Sequence, residues 1–178
     1  MLYVPPISDY KPFYIQKGDE TIVDLIASPY YLVVKAHDYP IAFKVKEPYK
    51  NQWKDQHGDE EYIGTSGLYF EPFTFKLECA LFARDASSVD AAIHDLKKGV
   101  LDFRDFLAGG KFKTFDSWTG FGFQDVRLDS FAMPSENDYS VWNKCCRVIF
   151  SVTLKVNDPK TTMKLQTTGT ATNIIADS

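Results

Sequence analysis

The stretch FTFKLECALFARDASSVDAAIHDLKKGVLDFRDFLAGGKFKTFDSWTGFGFQDV, residues 73–126, decides the fold. It reads as strand, long helix, strand. Phe73, Phe75, Leu77, Cys79 and Leu81 are apolar at every second position, with Thr74, Lys76 and Glu78 between them. That alternation predicts a half-buried strand with one wet face. The period then changes. Val89, Ile93, Leu96, Val100, Phe103 and Leu107 recur at steps of four and three, the spacing of one helix face. Ser87 with Asp90 three residues on forms a capping-box-like start, and Gly109-Gly110 supplies a stop. The expected helix, residues 88–107, runs roughly 30 Å at about 1.5 Å per residue. Its single apolar face needs a sheet to cover it.

Working outward, Phe112 and Phe115 begin another strand, and Trp118-Thr119-Gly120 is a turn. Residues 121–131 continue extended, but the apolar parity slips from Phe121 and Phe123 to Val126 and Leu128. A one-residue slip of this kind predicts a β-bulge near Gln124-Asp125. Cys146, Val148, Phe150, Val152, Leu154 and Val156 alternate with polar residues in what reads as the longest strand. Upstream, residues 30–36 and 41–45 are β-rich and read as a hairpin joined by His37-Asp38-Tyr39-Pro40. Residues 47–68 are a polar interruption, a loop long enough to be functional or mobile, with Trp53 and Tyr62 as its expected anchors.

The two ends differ from the middle. Residues 1–20 mix Pro5, Pro6 and Pro12 with Tyr3, Tyr10, Phe13 and Tyr14, a composition that opposes a regular helix. From Asn157 onward Thr, Ala, Asn, Asp and Lys dominate, which reads as a flexible arm. The expectation is therefore an N-terminal arm (1–20), one domain (21–156) and a C-terminal arm (157–178). The domain is mainly β (α+β): an antiparallel β-sandwich or curved sheet with one long helix packed on it.

Bulk properties narrow the function classes. The 178 residues are 44% hydrophobic and 15% aromatic, enough for one folded domain with a sizeable core. Twenty basic against twenty-four acidic residues leave a formal charge of -4, which opposes a general affinity for nucleic acid. No apolar run reaches the roughly 18 residues of a membrane span, and MLYVPPISDYKPFY lacks the basic start and apolar run of a signal peptide. Three cysteines, Cys79, Cys145 and Cys146, do not make a disulfide framework and suit a reducing site of synthesis.

Chemical signatures are scarce. His57-Gly58-Asp59-Glu60-Glu61 offers metal ligands but lacks the ordered alternation of an EF-hand loop or any HxxxH pair, so it reads as a solvated acidic loop. Asp85, Asp90, Asp95, Asp102, Asp105 and Glu78 supply carboxylates without an evident acid/base pair. Cys145 or Cys146 with His37, His57 or His94 is a conceivable nucleophile and base, but neighbours in a strand face opposite ways. No phosphate loop, nucleophile elbow or dinucleotide fingerprint is present. A non-enzyme without catalytic, cofactor or metal site is expected.

The run from Trp53 to Phe131 resembles tail proteins of long-tailed bacteriophages and prophages, above all the distal-tail and tail-tube group. The resemblance lies in the loop Trp53…His57-Gly58-Asp59-Glu60-Glu61-Tyr62-Ile63, the strand before the single helix, then Phe112-Lys113-Thr114-Phe115-Asp116, Thr119-Gly120 and Val126-Arg127-Leu128. It covers about half of the chain and is one of pattern, without a diagnostic motif. It implies a non-enzymatic subunit of a tube, terminator or distal-tail ring, usually a hexamer, through which DNA passes without specific binding. Its partners would be copies of itself and other tail proteins. It would assemble in the bacterial cytoplasm and end in the virion tail. The expected interface residues are Tyr3, Pro5, Tyr14, Trp53, Tyr62 and Ile174. The rival expectation is a carbohydrate- or peptide-binding β-sandwich module using exposed Trp and Tyr.

Overall fold

The computed structural model describes residues 10–40, 42–51, 60–65, 67–83, 87–142 and 145–177. In chain order the elements are β1 (Phe13–Gln16), β2 (Val23–Asp24), β3 (Leu32–Asp38), β4 (Tyr49–Asn51), β5 (Glu60–Tyr62), β6 (Phe73–Phe82), α1 (Val89–Ala108), β7 (Phe112–Asp116), β8 (Gly122–Ala132), β9 (Tyr139–Trp142), β10 (Cys145–Thr168) and β11 (Ala171–Ala176). Nine strands form one antiparallel sheet in the order β2-β1-β7-β8-β10-β6-β3, with β9 and β11 paired to the two ends of β10; β4 and β5 form a separate ribbon. A mainly β, α+β fold with one helix on an antiparallel sheet is what the alternating and helical periods predict.

The long strand β10 is the axis. On one side β6 pairs with it from Arg147↔Phe82 to Val156↔Phe73. On the other, β8 pairs from Ser151↔Ala132 to Thr162↔Phe123. This register brings Leu77, Val152 and Phe131 into one row and Phe75, Leu154 and Leu128 into the next. Both rows lie in the main core with the inner face of α1. Cys145 and Cys146 face opposite ways, as strand neighbours must. Cys146 joins that core, while Cys145 packs with Val33, Ala80 and Phe82 in a small cluster.

The helix buries Ala92, Leu96, Val100, Phe103 and Leu107. The predicted stripe is right in its last four members and wrong at its start: Val89 is exposed and Ile93 only half-buried. Ala92 takes that place. An alanine brings the helix backbone close to the sheet where a larger side chain would hold it off. Ser88, rather than Ser87, is the N-cap, its hydroxyl accepting from the Ala91 N–H at 3.2 Å. The last turn of α1 has no basic residue of its own. Lys17, just after β1, supplies the charge: its ammonium donates to the Phe106 carbonyl and lies 4.2 Å from the Phe106 ring centre. A cation at a helix C-terminus meets the negative end of the macrodipole.

The predicted bulge is present. Phe112 pairs with Val126 but Thr114 with Phe123, so β8 carries an extra residue there. Asp125 takes a left-handed φ of 53° and pairs with Lys111 at 2.6 Å.

Two expectations are corrected. Residues 30–36 and 41–45 do not form a hairpin with each other. β3 pairs with β6 instead, from Leu32↔Leu81 to Asp38↔Lys76, because its Leu32 and Val34 need the apolar row of Leu81 and Cys79. Nor is the expected 157–178 arm flexible over its described residues, 157–177. β10 runs on to Thr168, and β11 returns antiparallel from Thr168↔Ala171 to Met163↔Ala176. Its Ile174 is wholly buried. The anchor is Gln16, itself buried: Oε1 accepts the Ile174 N–H at 2.8 Å, and Nε2 donates to Asn173 Oδ1 and to the Glu20 carbonyl, both at 2.9 Å. Of the expected N-terminal arm, Phe13–Gln16 is already a sheet strand; residues 1–9 lie outside the described residues.

Close approach sets one glycine. A Cβ on Gly122 would stand 2.5 Å from the Met163 carbonyl oxygen and 2.9 Å from the Phe115 ring. Gly122→Ala must push two backbones apart and is expected to cost about 1–3 kcal/mol, read by denaturant unfolding. Gln16→Ala strands the Ile174 N–H in a buried site. It is expected to cost about 1–3 kcal/mol and to speed amide hydrogen exchange selectively in β11.

Candidate interaction surface

Between β3 and β6 the chain leaves the sheet as a two-stranded arm. Its root is paired by a Val45↔Phe70 bridge, by Lys46 N–H to the Tyr69 carbonyl and by Glu71 N–H to the Lys44 carbonyl, both at 2.7 Å. Farther out, β4 and β5 pair Tyr49↔Tyr62, Lys50↔Glu61 and Asn51↔Glu60. The two faces of this ribbon differ. Lys50 and Glu61 form an ion pair at 3.5 Å on one. Tyr49 and Tyr62, opposite each other on the next pleat, are 74% and 73% exposed. Ile63, Leu68 and Tyr69 are also exposed, and with the two tyrosines they border a concavity of about 370 Å³. An isolated two-stranded ribbon is marginal in water, and a contiguous exposed apolar patch is a candidate contact surface.

Rings anchor the arm. Phe43 lies 5.1 Å from Phe73 and 6.3 Å from Phe70 and Phe123, centre to centre. Tyr39 packs on Phe75 at 4.7 Å and against the edge of Phe121 at 5.5 Å. The turn between β7 and β8 abuts this cluster through Phe121, and next to it Trp118 is 71% exposed.

That turn is built on a buried carboxylate. Asp116 Oδ1 accepts the Trp118 N–H at 2.9 Å; Oδ2 accepts the Thr119 hydroxyl at 2.9 Å and the Tyr39 hydroxyl at 3.3 Å. His37 Nδ1 stands 2.8 Å from Oδ2, a close contact without hydrogen-bond alignment. Burial alone would raise the Asp116 pKa. The His37 contact, the Trp118 N–H, the His37 charge and the Thr119 hydroxyl outweigh burial and hold it below the usual value. Burial, then the Asp116 charge, push the Tyr39 phenol well above its usual range, so it remains a donor.

The contacts of this cluster tie the turn to β3 and Tyr39. Asp116 is saturated by donors, and the hydroxyl of Thr119 is turned to the carboxylate instead of to the imidazole. All three cysteines are free and buried, and burial raises each thiol's pKa. Among the described residues no group of three or more His, Cys, Asp or Glu stands close enough to hold a metal ion, and no helix is long and apolar enough to cross a membrane.

Of the expected interface residues that are described, Tyr62 alone is presented to solvent as a large exposed side chain. It does not anchor a loop: residues 49–51 and 60–62 of the 47–68 segment pair as a ribbon, and this ring is exposed on it. Tyr14 is half-buried in β1, between Asp24 and Phe115. Ile174 is corrected: a fully buried side chain in β11 is unavailable to a partner. Tyr3, Pro5 and Trp53, with the His57-Gly58-Asp59 segment, lie outside the described residues. Sequence reasoning missed Tyr49, Ile63 and Tyr69, although Tyr49 and Tyr62 flank the polar segment symmetrically. It also missed Asp116, whose Asp-x-x-Thr-Gly context is an Asx-turn pattern.

No family model matches the chain, and no curated protein matches it.

The Asp116 pKa is depressed on folding, so its stabilisation is full above the unfolded value, about 3.9 for an aspartate. It is lost as pH falls from there through the folded value. Asp116→Asn is expected to lower stability at pH 7 and to flatten the acid limb below about pH 4, measured by urea unfolding across pH.

Proposed function

We propose that the chain is a structural subunit of a bacteriophage or prophage tail, or of a related injection apparatus, working as a homo-oligomeric ring of tube, terminator or distal-tail type. One observation carries this reading: a rigid one-helix β domain projects a paired arm whose aromatic face is left uncovered. Tyr49 and Tyr62 stand on a ribbon that leaves the main sheet, where a neighbouring subunit can reach them. The resemblance of residues 53–131 to tail proteins supports the assignment, and such a subunit needs projections that reach its neighbour. In this reading the ring, a hexamer in the usual tail arrangement, encloses a lumen through which DNA passes without specific contacts, and its other partners are tail proteins.

Light scattering with negative-stain imaging tests the reading. Closed rings that grow in as concentration rises are expected; a strict monomer at every concentration and salt condition overturns it. The exposed Trp118 beside Phe121 favours one rival, a sugar- or peptide-binding module with a stacking platform. Glycan binding by a monomer, lost in Trp118→Ala, is the outcome that reading requires.

A further inference from the structure

A groove of about 440 Å³ opens between α1 and the end of β6, within the size range of small-molecule sites. Leu81 and Phe82 from β6 and Leu96 from the helix give it an apolar lining, and Tyr30 and Tyr31 wall it. Among the described residues that line it, two are charged, Asp95 and Asp102, and both are acidic. The concavity on the arm, by contrast, sets Lys46 beside Glu47. Neither aspartate of the groove is neutralised nearby. Asp102 makes no ion pair among the described residues, and Asp95 has only His94 Nδ1 at 4.0 Å. Lys98, on the same helix, makes no ion pair among them either. The Asp102 charge is felt inside the groove: after burial, it is what raises the pKa of the Tyr30 phenol.

Spacing decides what such a groove can hold. Asp95 and Asp102 stand two turns apart on one helix face, about 10 Å along the axis at about 1.5 Å per residue. One small cation cannot touch both. Between them lies Gly99, which brings no side chain into the space; a Cβ there would already stand 3.3 Å from Leu81 Cδ2. The helix therefore offers charge, an apolar gap, and charge again. The complement of that pattern is a chain of methylenes with a cation at each end.

We infer that the groove binds a linear aliphatic diamine or polyamine, its terminal ammonium groups meeting Asp95 and Asp102 and its hydrocarbon chain lying over Leu81, Phe82 and Leu96. Each end gains a charge-assisted hydrogen bond to a carboxylate, and tyrosine rings attract ammonium groups. Once one end is held, the second contact is intramolecular, and it is lost when the linker is too short to span the sites. Chain length at constant charge is thus the property this groove discriminates. The inference does not depend on self-assembly.

Calorimetric titration of the full chain with two diamines of equal charge, the terminal diamines of octane and propane, tests this. The long diamine is expected to saturate one site with a Kd at or below about 1 mM and to bind at least about tenfold more tightly than the short one. Asp95→Asn and Asp102→Asn, nearly isosteric changes at exposed positions, are each expected to abolish that advantage with thermal unfolding unchanged. Asp102→Glu, which keeps the charge, is expected to retain it. The comparison of the two diamines on the unaltered chain stands without any variant. A long diamine that binds no better than the short one overturns the inference. So does one that binds both asparagine variants as tightly as the wild type.

Discussion

The constraint on which the structure depends is that a single helix covers a single face of a nine-stranded sheet. Leu96, Val100, Phe103 and Leu107 can be buried only where β6, β10 and β8 present rows of large apolar side chains at matching height. The ten-residue antiparallel register between β6 and β10 fixes those rows, since a slip of one would turn every apolar residue to the other side. Much of the opposite face of these strands is polar: Thr74, Lys76, Glu78, Thr153 and Lys155 share it. Burial is thus concentrated on one side.

Around that core, polar side chains do the joining. Asp116 gathers a turn, a tyrosine and a histidine, so that the aromatic cluster at the arm's root is braced from below. Gln16 fastens the last strand to the first. Lys17 closes the end of the helix from a neighbouring element. All are charged or amide groups whose partners lie four to 158 positions away or in a turn, and the buried ones are satisfied almost completely.

This explains what was legible in the sequence. Periods of two and 3.6 are local, so β6, α1, β7, β8 and the central part of β10 could be read directly, as could the bulge, where parity changes within five residues. Pairing is not local. Whether residues 30–36 meet residues 41–45 or residues 76–81 depends on which apolar row is vacant, and composition does not say. The C-terminal segment misled for another reason: Thr, Lys and Asn are equally at home in a tail and on the wet side of a ribbon. Of the interaction surface, Tyr62 was visible as an aromatic in a polar segment. Tyr49 was not, because its significance comes from standing across the ladder from Tyr62.

The bond between Gln16 and Ile174 has a consequence for the order of events during synthesis. Its partners are 158 residues apart in the chain. Gln16 must therefore wait, two of its three hydrogen bonds unmade, until residues 173 and 174 have left the ribosome. The helix and its two flanking strands can collapse early, from contacts close in sequence, whereas the seam between β1 and β11 closes late. A nascent chain arrested before that point would hold an unfinished margin of the sheet, the kind of surface on which chaperones act.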